Sequence, residues 1–409
     1  MAFLLLHALS GVEGLALQDW DHWRGPNRDG IVAEPSGWGA PGWPGEPAWS
    51  ANLGAGSGSP LVVQGRLYAM GWAQDRDQVL CLDAASGKEL WKASYPSPSH
   101  GRHHMGDEQF YSGPTATPEF DAGRLYTLGA DGDLLCWDAG RKVWGFNLYD
   151  VYKADRRPHV GAERRDYGYI TAPLVHGDAL LVHVGAAEGT VMAFAKDTGK
   201  RLWTSECKDP AGHTGGMAPM TVEGVPCVAT LTLRNLVVLR LDDGRTVATY
   251  PWTTDFGNNI ASPAVVGDSV LITSEYNRSA ICRLRITLKG ASKVWEAPYA
   301  SKACTPVVYQ DRVYWAWRKV RCLDFATGVQ KWEGGAFGDA GSCIATSDGK
   351  LIVWGGTGRL ALLETGDAYK ELFREPRVFS ATAWPHVTLA GGRLYCKDRD
   401  GNLKCFQVR

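Results

Sequence analysis

One phrase recurs along this chain and limits what it can fold into. It reads Asp-x-x-x-Gly-Lys-x-x-Trp and follows a run of short apolar segments. The clearest copy begins Ser59-Pro-Leu-Val-Val-Gln-Gly-Arg-Leu-Tyr-Ala-Met and ends Val79-Leu-Cys-Leu-Asp-Ala-Ala-Ser-Gly-Lys-Glu-Leu-Trp91. Further copies end at Trp144, Trp203, Trp252, Trp295 and Trp332, and a weaker one at Phe373. A chain of 409 residues ordinarily suggests two or three domains. A repeat overrides that expectation, because a repeat array grows as one body. The endings lie 37 to 59 residues apart, the span of a four-stranded propeller blade plus loop insertions.

Each part of the phrase has a physical job. Segments such as Leu180-Leu-Val-His-Val and Val270-Leu-Ile-Thr have the length and pattern of strands. Asp83 to Gly87, Lys196 to Gly199 and Asp324 to Gly328 read as turns, where Asp bonds local amides and Gly takes the left-handed conformation. The following Trp is expected to pack between neighbouring blades, covering roughly 150–250 Å2. The last copy, Thr388 to Arg409, stops before its own Trp strand. Glu46-Pro-Ala-Trp49 supplies that strand from the other end of the chain. The expected fold is therefore all-β: one eight-bladed propeller with docking residues Trp49, Trp91, Trp144, Trp203, Trp252, Trp295, Trp332 and Phe373. Closing the circle removes exposed sheet edges.

The phrase resembles the tryptophan-docking repeat of PQQ-dependent alcohol dehydrogenases and of the outer-membrane assembly factor BamB. The opening Trp20-Asp-His-Trp-Arg-Gly-Pro-Asn-Arg-Asp-Gly30 and the ending Trp384-Pro-His-Val-Thr-Leu-Ala-Gly-Gly-Arg-Leu-Tyr395 resemble a group of exported PQQ-binding-like propeller proteins of planctomycete-type bacteria. The resemblance covers about residues 20 to 409. It implies the fold, and it leaves function open because propellers host many activities.

The formal net charge is −1, and basic residues are scattered. No field that would recruit nucleic acid is expected. The apolar start, Met1-Ala-Phe-Leu-Leu-Leu-His-Ala-Leu, is too short to span a bilayer. It reads as the core of a secretory signal over residues 1–16, although no Lys or Arg precedes it. Residues 17–45 then form an arm and residues 46–409 the propeller. A periplasmic or secreted monomer is expected.

The ten cysteines contain no CxxC pair, so zinc-ligand spacing is absent. Cys81, Cys136, Cys322 and Cys405 recur at one repeat position and read as small buried residues. Asp400-Gly401 is a two-residue hairpin signal that sets Cys396 opposite Cys405. That pair reads either as a cross-strand disulfide or as two thiols packed side by side.

In such a propeller, residues just before the first strand of each blade gather at one mouth of the central channel. They are Gly56-Ser57, Tyr111-Ser112, Tyr167 with Tyr169, His213-Thr214, Asn258-Asn259, Lys302, Asp339, and Trp384 with His386. The candidate binding residues are Tyr111, Tyr167, Tyr169, His213, Asn258, Asn259, Trp384 and His386. A second reading makes them spacers around ordered water. The insertion Ser99 to Tyr111 carries His100, His103 and His104, and the insertion Tyr149 to Tyr169 carries Arg164. Folded over one mouth, they would form a rim suited to an anionic or sugar ligand.

The dehydrogenase resemblance implies a vicinal disulfide over the quinone, a Glu/Asn/Asp calcium site and an Asp base. No Cys-Cys occurs, and Asn258 or Asn259 has no Glu and Asp partners that can be placed. No catalytic residue, bound metal or cofactor is therefore expected, although PQQ and calcium stay open as an alternative. The sequence favours a non-catalytic propeller presenting its mouth or blade edges to an envelope protein or glycan. The alternative is a divergent quinoprotein-like oxidoreductase.

Overall fold

The computed structural model describes residues 18–39, 42–98, 113–154, 159–160, 163–164, 168–211, 213–339, 341–356 and 358–409. The expected secretory signal lies outside them. The strands form eight blades in chain order: residues 61–96, 119–147, 174–204, 218–251, 264–297, 307–338, 341–375 and 388–407. A small ribbon, His159–Val160 with Glu163–Arg164, stands apart. Blade 6 has one 13-residue strand, Arg312–Asp324, where other blades have two. The chain turns at Arg318, φ +58°, and brings Tyr314 beside Cys322. Pro47–Asn52 pairs antiparallel with Asn402–Gln407 and completes blade 8. The ring thus closes on the strand carrying Trp49.

A repeated bulge explains how the blades dock. On each outer strand the residue before the aromatic is skipped by the ladder: Leu90 before Trp91, Val143 before Trp144, Leu202 before Trp203, Val294 before Trp295. A bulge bends and twists the strand locally. It turns the skipped aliphatic outward, and these four are exposed. The indole is turned towards the next blade and slides beneath the Gly of that blade's turn. A Cβ on Gly87, Gly199, Gly244 or Gly328 would lie 2.5–2.8 Å from Trp49, Trp144, Trp203 or Trp295. Those glycines also have φ of +71° to +74°, where a side chain adds strain. The indole N–H then donates into the same turn: Trp49 to the Ala84 carbonyl at 3.2 Å, Trp144 to Lys196 at 2.9 Å, Trp203 to Leu241 at 3.1 Å and Trp295 to Phe325 at 3.0 Å. Trp332 donates to Gly366 at 2.8 Å. The Trp and the Gly of one repeat therefore serve different neighbours.

One docking position departs from the expected set. Trp252 stands after the outer strand Thr246–Pro251 and outside the ladder. The bulge rule gives blade 4's docking position to Ala248, opposite Val238. Trp252 is instead fully buried with the Arg278 guanidinium 3.7 Å from its ring. Blade 5 offers no Asp-x-x-x-Gly turn to receive an indole, closing with Thr287-Leu288-Lys289-Gly290. Phe373 holds its expected position opposite Leu362. Trp43 of the arm supplements it, edge-on at 5.2 Å.

The last hairpin is one residue out of the expected register. Tyr395 faces Cys405 and Cys396 faces Lys404. The turn uses three residues: the Asp398 amide bonds Asn402, and Gly401 donates back to Asp398 with φ +89°. A one-residue slip moves a side chain to the other face of the sheet. Cys396 and Cys405 therefore lie on opposite faces, both as free thiols, and the cross-strand disulfide does not form.

A one-ended cup as the candidate site

The arm does not hang outside the ring. Residues 18–34 run across the channel at the end where the inner strands finish. Trp20 forms a bridge to Val62 in blade 1, and the Phe120 amide of blade 2 bonds the Asp21 carbonyl. Ile31–Val32 pairs parallel with Gly341–Thr346, adding a fifth strand to the channel side of blade 7. Arg24 is buried and donates to the carbonyls of Arg28 (3.2 Å), Asp29 (2.9 Å) and Pro306 (2.7 Å). Burial lowers its affinity for its proton. Arg28 makes a two-pronged ion pair with the fully buried Glu119 of blade 2. Glu119 also accepts the Val175 amide of blade 3 at 2.9 Å and lies 3.1 Å from His22 Nδ1. Burial alone would raise the Glu119 pKa, but Arg28 and His22 outweigh it and hold the carboxyl below its ordinary value. The Trp-Asp-His-Trp-Arg-Gly-Pro-Asn-Arg segment is thus a plug.

At the other end the channel is an open cup of about 110 Å3 with the plug's Trp23 in its lining. Trp23 Nε1 donates to Ser262 Oγ at 3.2 Å, and its ring lies 4.4 Å from that of His386. It packs on Gly216, where a Cβ would sit 2.6 Å from the indole. The cup is walled by all eight blades or the segments entering them, including Ser57, Thr115, Ile170, His213, Asn258, Ala303, Gly341 and Trp384. Burial, aided by the Arg24 charge, pushes the His386 pKa down to about 3, so its ring is neutral at ordinary pH. His213 Nδ1 donates to Asn258 Oδ1 at 3.0 Å. Beneath the mouth, Lys397 donates to the carbonyls of Gly56 and Gly58, and burial lowers it to about 8.

Of the candidates read from sequence, His213, Asn258, Trp384 and His386 come together in this cup. Asn259 does not: it is fully buried, donating to the Thr232 carbonyl at 2.7 Å and accepting from Thr254 at 3.2 Å. Tyr169 also turns away, its hydroxyl on the Val184 carbonyl at 3.0 Å and its ring 5.0 Å from Tyr149. Lys302 and Asp339 pair at 3.3 Å without entering the lining. Tyr111, Tyr167, His100, His103 and His104 lie outside the described residues, and Arg164 is described only as part of its ribbon. Trp23 was missed because it belongs to no repeat. Its signal was the dense aromatic, Arg and Gly segment at 20–30, which has no place in a blade.

The model of the family described as outer membrane protein assembly factor BamB matches residues 44–144 and 99–334, well over half the chain. The chain belongs to that family. BamB of Burkholderia pseudomallei is 24% identical over 380 residues, covering 88% of this chain and 87% of that protein. The dehydrogenase subunit of the quinone alcohol dehydrogenase of Gluconobacter oxydans is 30% identical over 166 residues, 38% of this chain. The match spans only 20% of that subunit's length. Among solved structures, the quinohemoprotein alcohol dehydrogenase of Comamonas testosteroni superposes with a TM-score of 0.67 at 13% identity, covering 95% of this chain and 80% of that one. At that identity the likeness shows the fold alone.

The described lining of this BamB-family cup does not fit a calcium-held quinone. The amide oxygens of Asn258 and Asn259 are both engaged by protein donors. No carboxylate is among the described residues that line the cup. Among the described residues no cluster of three His, Cys, Asp or Glu could hold a metal ion, and no helix is long and apolar enough to cross a membrane.

Proposed function

We propose that this chain is an exported, non-catalytic PQQ-like propeller, acting as a monomer, that holds an envelope protein or glycan partner at the cup. The observation that carries the reading is the cup's lining. Trp23, Trp384 and Tyr276 supply aromatic surface, and His386 and the His213–Asn258 pair supply neutral polar groups. Aromatic walls with a few fixed hydrogen-bonding groups suit a side chain or a sugar ring. A general acid or base works best with a pKa near the working pH, and His386 sits far below it. The assembly-factor description of the family supports a protein partner in the envelope.

The quinoprotein-like oxidoreductase is favoured only by the 30% identical segment. Two measurements decide between the readings. The whole chain is titrated with PQQ and Ca2+ and followed by absorbance and native mass spectrometry. No stoichiometric uptake is expected, and tight one-to-one uptake would overturn the non-catalytic reading. Native envelope extract is then passed over the parent chain and over Trp384→Ala and His213→Ala. A partner held by the parent and lost by both variants supports binding at the cup. Equal retention by all three refutes it.

A further inference from the structure

Behind the cup wall lies a pair of thiols from different blades. Cys304 enters blade 6 one residue after the cup residue Ala303, and Cys343 stands in blade 7 two residues after the cup residue Gly341. Each is 1% exposed. Both sulfurs rest on the same strand of blade 6. The Ala316 amide donates to Cys304 Sγ at 3.3 Å, and Cys343 Sγ donates to the Tyr314 carbonyl at 3.8 Å. Tyr314 and Ala316 are alternate residues, so the two contacts lie side by side along one strand. The two thiols are near enough for each to act on the other's protonation. The plug adds a positive charge here, because Arg24 is bonded to the Pro306 carbonyl two residues beyond Cys304 and acts electrostatically on both sulfurs.

We propose that Cys304 and Cys343 form a reversible disulfide that joins blades 6 and 7 behind the cup wall. Blades 6 and 7 are otherwise joined by packing, by the Trp332 dock and by hydrogen bonds, so this would be their one covalent cross-link besides the chain itself. Cys304 is the attacking sulfur. It accepts the Ala316 amide and lies in the field of the Arg24 guanidinium, and both favour its thiolate. Cys343 holds its proton more tightly because it faces Cys304 and is buried. The inference concerns the wall and does not depend on what the cup holds.

The step needs a two-electron oxidant small enough to pass the cup, and a diazene such as diamide is the probe. The Cys304 thiolate adds to one nitrogen of the N=N bond. Cys343 sulfur then attacks Cys304 Sγ, the S–N bond breaks and the S–S bond forms. The two thiol protons finish on the nitrogens. The diazene, having gained two electrons, leaves as a hydrazine.

The folded whole chain is treated with diamide, the remaining thiols are alkylated, and a non-reducing digest is read by mass spectrometry. A linked pair of peptides containing Cys304 and Cys343 is expected. It should form about tenfold faster than any change at Cys227 or Cys282, whose thiols are buried without a thiol partner beside them. Dithiothreitol should restore both thiols. If Cys304 and Cys343 stay reduced until denaturant unfolds the chain, or if Cys304 links elsewhere, the inference fails. Cys343→Ser supplies a second readout: a small methanethiosulfonate should then be trapped on Cys304, and an unreactive Cys304 in that folded variant would equally overturn the assignment.

Discussion

Replacing Arg28 by Met tests whether the plug is part of the fold or only laid on it. Arg28→Met removes the guanidinium that holds the fully buried Glu119 in its ionised form. Removing one partner of a buried ion pair typically costs about 3–5 kcal/mol, because the other charge is left uncompensated. Glu119 keeps the Val175 amide and His22, which places the expected loss near 3 kcal/mol at pH 7. The pH dependence carries a sign that packing loss alone would not. In the parent, the Glu119 pKa is lowered by folding, so its contribution is present above the unfolded value and is lost as pH falls through the folded one. In Arg28→Met, burial dominates and the pKa moves above the unfolded value. Stability is then lost as pH rises. The gap between the two proteins should widen between about pH 4 and pH 7, by up to about 1.4 kcal/mol per pH unit for one proton. Urea unfolding at several pH values measures this directly. Arg28→Met/Glu119→Met should recover most of the loss, since apolar replacement of a buried pair is often neutral. A loss below about 1 kcal/mol, the scale of a surface pair, would refute the reasoning. So would a gap that stays constant with pH.

Two further outcomes follow from the blade interfaces. Trp91 lies beneath Gly140, but the shorter Asp138-Ala139-Gly140 turn leaves its indole N–H without a partner. Trp91→Phe should therefore destabilise less than Trp144→Phe, which loses a 2.9 Å bond, with a difference of about 1 kcal/mol in chemical denaturation. Equal losses would mean that the indole bond contributes nothing. Asp77 is fully buried, and burial pushes its pKa up to about 7 against the help of the Tyr95 hydroxyl. A raised carboxyl stabilises the fold while protonated, so stability should decline from about pH 4 to pH 7 through this group. Asp77→Asn should flatten that slope, and an unchanged slope would remove Asp77 from the account.

The ring was legible because its signals are local and repeat. Asp, Gly and Trp recur at a fixed offset, and the chain ends supply complementary halves of one blade. The errors arose where a single residue of register decides the outcome. Trp252 was read as the end of one copy of the phrase, but the bulge fixes the docking position, and it selects Ala248. Cys396 and Cys405 were paired by a two-residue turn, but the three-residue turn at Arg399–Gly401 moved them to opposite faces. The cup was legible in part. Counting back from each first strand located His213, Asn258, Trp384 and His386, yet that rule cannot tell which way a side chain turns, so Asn259 and Tyr169 were included with them. Trp23 obeys no period, and only the assembled ring shows where it goes.

The plug also sets an order in time. Synthesis delivers the N-terminal end first, yet the arm's partners include Pro306, the Gly341–Thr346 strand and His386, and Trp49 needs Cys405. Segment 18–52 must therefore wait for residues made well after it. Until residues 388–407 are made, the strand carrying Trp49 has no blade to complete. The ring closes last on this early segment, and a chain halted before residues 370–409 are made would leave 18–52 with much of what it binds still missing.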